Sequence, residues 1–222
     1  RRRFVKIKFE DVKNNQKIRT YIEKADRTLK SMGYSEHSFA HVTRVASVSG
    51  KILNALGYSR DDIEMARIAG FMHDIGNVIN RHDHAQTGAI MAIPILEGMG
   101  MEDEVIANII AAIGNHDEPN AHPIDAVTAA LIIADKTDVR QSRVRNKDFA
   151  NFDKHDRVNY AVKQSVVNVV GNTIECRLHL DKSLSSVMDY FEIFLERMIL
   201  CRKSSEQLGC DFVLIINDER VI

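Results

Sequence analysis

The stretch IAGFMHDIGN, residues 68–77, decides the fold of this chain. Its apolar first half continues a helical spacing, and a histidine and an aspartate then stand where the pattern calls for apolar side chains. Ser59 is a candidate N-cap for this helix, with Asp62 three residues later, and Gly76 ends it. A carboxylate at the end of an apolar run is largely desolvated, and burying it unpaired costs several kcal/mol. Asp74 therefore needs a cationic partner.

Four other strings hold polar side chains where the surrounding pattern calls for apolar ones. HSFAH, DHAQTGA, IGNHDE and IIADKTD contribute His37, His41, His84, His116 and Asp135. Two carboxylates among several imidazoles, without a thiolate, suit Fe, Mn, Zn, Co or Ni better than they suit a cysteine-rich structural zinc site. Six ligands are too many for one open catalytic ion, but they fit two ions about 3.5 to 4 Å apart. The sequence thus predicts a binuclear centre that shares a carboxylate.

Helical periodicity dominates up to about residue 160. Apolar positions recur at spacings of three and four between Glu36 and Leu56. The same reasoning predicts further helices near residues 83–98, 103–114 and 123–142. We therefore predict one helical bundle over residues 1–160.

The period changes after the bundle. TIECRLHLD alternates apolar and polar residues, as a half-buried strand does, and VVNVV precedes it across Gly171–Asn172, a hairpin signal. An amphipathic helix and the strand FVLII follow. The prediction is a mainly α fold with a small ββαβ extension over residues 161–222. Because about 60 residues form a marginal domain alone, we expect the extension to pack on the bundle or on a partner subunit.

Composition limits the partners. The 222 residues carry 30 Lys and Arg against 31 Asp and Glu, a formal net charge of -1. Such a balance argues against an extended nucleic-acid surface, which needs a basic excess. The apolar stretch Ala126–Ala134 is far shorter than the roughly 20 residues of a membrane helix, and RRRFVKIKFEDVK lacks the apolar core of a signal peptide. Three cysteines suit reduced thiols. We expect a cytoplasmic protein without a membrane partner, and a homodimer through exposed strand edges is one hypothesis.

The predicted ligands carry a family resemblance. His41, the doublet His73–Asp74 and Asp135 resemble the H...HD...D signature of the HD-domain metal-dependent phosphohydrolase superfamily, an all-helical fold. His84 and His116 are additional to that signature, and they resemble the two insertions that distinguish the two-metal members of the superfamily. HAQTGA and IADKTDVRQSR resemble strings of the bacterial HD-type hydrolases that cut diadenosine tetraphosphate symmetrically. The resemblance covers residues 36–145 and leaves the ββαβ extension unmatched.

The resemblance implies a division of the ligands between two divalent transition-metal ions. Asp74 bridges the ions, His41, His73 and Asp135 complete one, and His84 and His116 hold the other. Iron is the first choice, with manganese, zinc, cobalt and nickel as alternatives. His37 lies one helical turn before His41 and shares its face. Because some members of the HD-GYP type hold a third ion there, His37 is a candidate additional ligand, the alternative being an exposed first-turn histidine.

One position departs from the superfamily pattern. Members often carry a lysine three residues after the aspartate, where it meets substrate phosphate, and this chain has Asn77 there. An amide brings no charge, so phosphate contact is predicted to involve other side chains as well. The candidates are Asn77, Arg81, Lys136, Arg140 and Arg143. A solvated basic helix end is the alternative for the last two.

Three functions fit these predictions. The first is a metal-dependent phosphohydrolase acting on a phosphoester or phosphoanhydride of a nucleotide or dinucleotide. Its nucleophile would be a metal-bridging hydroxide oriented by Asp74. The second is a di-iron oxygenase, because oxygenases that act on inositol and on phosphonates resemble the same ligand order. The third is a metal-stabilised binding or regulatory module in which the ββαβ extension is the working part.

Overall fold

The computed structural model describes residues 7–118, 120–146 and 148–222. Within them the chain is helical up to residue 161 and ends in a small sheet, so the predicted mainly α fold with an α+β extension is confirmed. The helices of the first part are α1 (Phe9–Asn14), α2 (Gln16–Ser31), α3 (Phe39–Ala55), α4 (Arg60–Met72), α5 (His84–Gly98), α6 (Asp103–Gly114), α7 (Ala126–Lys136) and α8 (Lys154–Ala161). Short 3-10 turns lie at Ile75–Val78, Gln141–Arg143 and Phe149–Asn151.

Helix α4 begins where its sequence predicts, after Ser59, but it ends at Met72 and not at the predicted Gly76. The Ser59 hydroxyl accepts a hydrogen bond from the amide of Asp62, whose carboxylate accepts one from the amide of Ser59. The helix ends at Met72, and the chain passes through His73 and Asp74 into the turn Ile75–Val78. The doublet therefore stands at a change of helix type, where adjacent side chains can face one site.

Helix α7 is shorter than the predicted 123–142. The carboxylate of Asp125 accepts the amide hydrogen of Thr128, which sets the start of the helix at Ala126. At the other end the Thr137 hydroxyl donates to the carbonyl of Ile133, and the chain leaves the helix after Lys136. The residues that follow form the separate turn Gln141–Arg143.

A four-stranded sheet and one long helix complete the fold. The strands are β1 (Val162–Val170), β2 (Thr173–Leu180), β3 (Asp211–Ile216) and β4 (Glu219–Arg220), in that spatial order. Helix α9 (Val187–Gln207) connects β2 to β3, which run parallel, and the other neighbours are antiparallel. Gly171 has φ +58° in the predicted hairpin turn. The short strand β4 was not foreseen.

Helix α9 packs on α7, and residues of bundle and sheet join one hydrophobic cluster. Ile133 of α7, Phe194 of α9 and Cys176 of β2 are all buried members. A division into units 1–160 and 161–222 stays a prediction. Among the described residues, no helix is both long enough and apolar enough to cross a bilayer.

Candidate metal centre

The six predicted ligands lie together inside the bundle. They fall into three overlapping groups whose ligand atoms lie within 4.8 Å of one another. The groups are His41, His73 and Asp74; His73, His116 and Asp135; and Asp74, His84 and His116. Residues from five separate segments of sequence thus meet at one place, although their role as ligands stays a prediction.

One half of the centre, which we call the inner half, is formed by His41, His73 and Asp135. The Nε2 atom of His41 lies 3.2 Å from Nε2 of His73 and 3.3 Å from Oδ1 of Asp135. Nε2 of His73 lies 3.6 Å from the same carboxylate oxygen. Both imidazoles also approach Oδ2 of Asp74, at 3.6 and 3.3 Å.

The outer half is formed by His84 and His116. Nε2 of His84 lies 3.4 Å from Oδ1 of Asp74, so the carboxylate of Asp74 directs one oxygen to each half. The ring of His116 stands between the halves, with its centroid 4.9 Å from that of His73 and 5.2 Å from that of His84. This geometry suits a carboxylate that bridges two ions.

The chemistry of the cluster fits a cation. Oδ2 of Asp74 is buried and accepts no hydrogen bond, an arrangement that is costly without a positive neighbour. Burial opposes a charged imidazole, but Asp74 and Asp135 reverse that effect and raise the pKa of His73 to about 10. The surroundings of His73 therefore favour positive charge, which a divalent ion would supply in place of a proton.

All four histidines present the same ring nitrogen to the centre. The Nδ1 atom of His41 donates to Oδ2 of Asp138 at 2.7 Å, and that of His73 to the carbonyl of Gly70 at 2.8 Å. The Nδ1 atoms of His84 and His116 donate to the carbonyls of Arg81 and Ile113, at 3.0 and 2.6 Å. Each Nε2 atom is thereby left as the possible metal ligand, as in most metal-binding histidines, although that of His84 also lies 3.2 Å from Nη1 of Arg81.

The surroundings of His116 favour the neutral imidazole. Burial, followed by the neighbouring His73 and Lys136, lowers the pKa of His116 to about 3. A neutral imidazole keeps the lone pair that metal binding requires.

Asp138 is a candidate functional residue that the sequence reasoning missed. It is 1% exposed, and besides the bond from His41 it accepts bonds from Nε of Arg44 at 2.9 Å and Nε of Arg140 at 2.7 Å. Burial raises the pKa of an aspartate, but the bond from His41 and the charge of Arg143 hold the pKa of Asp138 well below its usual value. Its signal in the sequence was an acidic residue three positions after Asp135, followed by two arginines.

Lys136 points into an acidic cage. Its Nζ lies 2.9 Å from Oδ2 of Asp135, 3.0 Å from Oδ1 of Asp117 and 3.0 Å from Oε2 of Glu118. Burial would lower the pKa of Lys136, but Asp135 and the other two carboxylates raise it above its usual value. Because Lys136 occupies one oxygen of Asp135, the other oxygen is directed to His41 and His73.

The other phosphate-binding candidates differ in accessibility. Asn77 is fully buried and its amide donates to Oδ1 of Asp74 at 2.8 Å. Nη1 of Arg143 donates to the carbonyl of Asp138 at 2.9 Å, and its Nε donates to that of Glu36 at 2.9 Å. Arg140 is bonded to Asp138. Phosphate binding by these residues stays a prediction, and for the two arginines it would replace existing contacts.

Arg81 lies at the open side of the centre. Its Nη1 is 3.2 Å from Nε2 of His84, and its Nη2 is 3.4 Å from Oδ1 of Asp117. The guanidinium and His84 line a cavity of about 420 Å³, whose wall also includes Tyr34. Arg81 is thus the phosphate-binding candidate whose guanidinium faces the cavity beside the outer half.

His37 lies next to the inner half without joining it. Its ring centroid is 5.4 Å from that of His41, and its Nδ1 donates to the carbonyl of Ser35 at 2.8 Å. Within the described part of the chain, none of the three groups of possible metal ligands includes His37. A third ion at His37 stays a prediction.

Close main-chain contact fixes the two halves relative to each other. The turn after Asp74 touches the start of α5, which carries His84. A side-chain carbon at Gly76 would lie 2.0 Å from the carbonyl oxygen of His84 and 2.6 Å from the amide nitrogen of Gly88. Only glycine fits at position 76, because those neighbours are backbone atoms.

Comparison with known proteins agrees with the ligand pattern. The sequence profile of the HD domain family matches residues 38–154. Ribonuclease Y of Oceanobacillus iheyensis is 31% identical over 124 residues, which cover 54% of this chain and 22% of that protein. An uncharacterized protein of Methanocaldococcus jannaschii is 22% identical over 162 residues, which cover 63% of this chain and 62% of that protein. The chain spans less than two thirds of either relative.

A solved structure is also similar to this chain. It is the crystal structure of a protein from an uncultured Thermotogales bacterium, named as a predicted HD superfamily hydrolase. It aligns with a TM-score of 0.44 and 23% identity, covering 56% of this chain and 68% of that one.

Proposed function

Because this chain belongs to the HD domain family, we propose that it is a metal-dependent phosphohydrolase acting on a phosphoester or phosphoanhydride of a nucleotide or dinucleotide. The observation that carries this proposal is the carboxylate of Asp74. One of its oxygens faces the inner half, the other faces His84, and the inner oxygen is buried without a hydrogen bond. A carboxylate placed in this way suits two-metal hydrolysis.

Two divalent transition-metal ions are the proposed cofactors, with iron as the first choice. His41, His73 and Asp135 would hold one ion, His84 and His116 the other, and Asp74 both. When bound, such ions lower the pKa of a coordinated water and offset the charge of a phosphoryl group. The donor set of imidazole nitrogens and carboxylate oxygens is appropriate for them.

The residues around the ligands have distinct tasks in this proposal. Asp138 fixes the ring orientation of His41, and Lys136 fixes the carboxylate of Asp135. Arg81 has its guanidinium on the cavity beside His84, where it can bind a phosphate through two parallel hydrogen bonds. The substrate would approach through this cavity, because the inner half is enclosed.

An RNA phosphodiester is a second candidate substrate. It is favoured by the 31% identity over 124 residues to a protein named ribonuclease Y. The formal net charge of -1 weighs against an extended basic surface. A short oligonucleotide held mainly at the centre is compatible with both observations.

The test begins with protein purified without added metal. Elemental analysis is expected to find about two metal equivalents per chain. The same preparation is then assayed on dinucleoside polyphosphates including diadenosine tetraphosphate, nucleoside monophosphates, cyclic dinucleotides and short RNA. The variant His73→Ala with Asp74→Ala should lose metal and activity, whereas His179→Ala, whose side chain is exposed on β2 away from the centre, should keep both.

Metal identity separates hydrolysis from oxygen chemistry. Activity with redox-inactive Mn²⁺ or Zn²⁺ under nitrogen supports the proposal. A strict requirement for iron and O₂, with no phosphate ester cleaved, would favour a di-iron oxygenase instead. Partner binding that persists in the folded double variant would favour a regulatory module.

A further inference from the structure

Helix α9 is apolar on two faces, and one of them is open to solvent. Its buried face packs into the core through residues such as Phe194 and Met198. Its open face carries Met188, Leu195 and Ile199, which are 68%, 49% and 36% exposed. Because these three residues are spaced by seven and four positions, they form one stripe along the helix. An aligned stripe of large exposed apolar side chains is typical of an interaction surface.

Charged residues of opposite sign flank the two ends of this stripe. Glu192 and Glu196 lie in the first half of the helix, and Arg202 and Lys203 lie in the second half, all of them exposed. Glu192 and Lys203 are eleven residues apart, which is about three turns, so they lie on the same flank of the stripe. Glu206, which is also exposed, lies on the line of the stripe in the second half, so that end carries two cations and one anion. The surface is thus acidic at one end, apolar in the middle and net basic at the other end.

This pattern is complementary to itself in an antiparallel arrangement. Leu195 and Ile199 are equally distant from position 197, and Glu192 and Lys203 are also nearly symmetric about that position. A second copy related by a two-fold axis near position 197 would place Leu195 against the partner's Ile199. The same axis would place Glu192 beside the partner's Lys203 at both ends. A parallel arrangement would instead bring like charges together.

We propose that the chain forms a homodimer by antiparallel packing of α9 against α9 of a second copy. Arg197, near the midpoint, extends towards the metal centre and has its Nε 3.5 Å from Oε1 of Glu118. The stripe lies on the other side of the helix, so the dimer leaves the centre and its cavity accessible. One pair of helices gives an interface at the small end of stable interfaces, and we expect a dissociation constant of about 10⁻⁶ M.

The first test is sedimentation equilibrium over a dilution series that brackets about 1 µM. The wild-type mass should approach twice the chain mass of 25.1 kDa at the high end. Leu195→Glu should weaken dimerisation at least about tenfold, because it places a charge in the middle of the stripe. Ile90→Glu is the matched control, since Ile90 is 68% exposed on α5 and should not alter the mass.

A charge exchange tests the orientation. Glu192→Lys and Lys203→Glu should each weaken the dimer, and the double variant should restore it. Glu192 also forms an ion pair with Lys154 of its own chain. The variant Lys154→Ala therefore measures how much the loss of this ion pair alone changes dimerisation. If Leu195→Glu fails to fold, the charge exchange between Glu192 and Lys203 still tests whether the dimer forms through α9. A wild-type protein that stays monomeric, a dimer unaffected by Leu195→Glu, or a double variant that is not restored would overturn the proposal.

Discussion

The inner and outer halves of the metal centre differ in what supports their ligands. In the inner half, His41 and Asp135 are supported by buried charged side chains, Asp138 and Lys136. In the outer half, both histidines are supported by main-chain carbonyls, and His84 lines an open cavity. If the proposed function is right, we expect the inner half to hold its ion more tightly and the outer half to meet the substrate.

The largest expected effect comes from the residue that both halves share. Asp74→Asn should remove the charge that both ions need, so metal content should fall to near zero. Hydrolytic activity should fall by about 10³-fold or more. Elemental analysis and initial rates measure the two effects. Asp211→Asn is the control, because Asp211 is exposed at the start of β3, away from the centre. Two retained equivalents in Asp74→Asn would contradict a shared carboxylate.

Single ligand removals should separate the halves. His84→Ala is expected to keep about one metal equivalent, because the inner half retains all its supports. His41→Ala should lose the inner ion, and its remaining metal should leave rapidly on chelation because the outer half is open. Metal content before and after a timed exposure to chelator measures the difference. Equal metal content and equal release rates in the two variants would show that the halves are equivalent.

A smaller effect is expected from the support of His41. Asp138→Asn keeps the shape of the side chain but removes the charge, so the Nδ1 bond of His41 weakens and its ring is less well fixed. Metal affinity should fall by about 10 to 100-fold, and competition with a chromophoric chelator measures it. Asp117→Asn is an informative comparison, because Asp117 is also a partly enclosed carboxylate but does not bond His41. An unchanged affinity in Asp138→Asn would remove the proposed role of Asp138.

The smallest effect is expected in the pH dependence of the metal-free protein. Asp74 and Asp135 outweigh burial and raise the pKa of His73 from its ordinary 6.5 to about 10. The stabilisation from protonated His73 is therefore fully present below pH 6.5 and is lost as the pH rises through about 10. Urea unfolding midpoints of the metal-free protein should fall over this interval, and His73→Gln should flatten the dependence. A flat wild-type profile would be inconsistent with this pKa.

Much of the centre could be predicted from the sequence because each ligand interrupts an apolar pattern. His73, Asp74, His116 and Asp135 end apolar helical runs, and buried polar residues in such places require partners. The number of candidate ligands predicted a shared carboxylate, and the bridging role of Asp74 stays a prediction. The start of helix α4 and the Gly171 turn were also predictable, because caps and hairpin turns depend on local residues.

The supporting residues could not be predicted because their role depends on distant contacts. Asp138 lies 97 positions after the histidine it supports, and no local spacing signals that bond. Lys136 carries the positive charge of a phosphate-binding residue. Only the fold shows that the carboxylates of Asp117, Glu118 and Asp135 surround its amine. The end of α7 was also missed, because no glycine or proline follows Lys136 closely in the sequence.

The close approach at Gly76 has a consequence for how the gene can vary. Since a methyl group at this position would overlap the carbonyl of His84 and the amide of Gly88, every missense codon at position 76 should be depleted in a saturation-mutagenesis library selected for folding. The neighbouring His82, which is exposed, should accept most amino acids. Depletion that includes alanine and serine at position 76 would then report, in sequencing counts alone, the close backbone contact that joins the two halves of the centre.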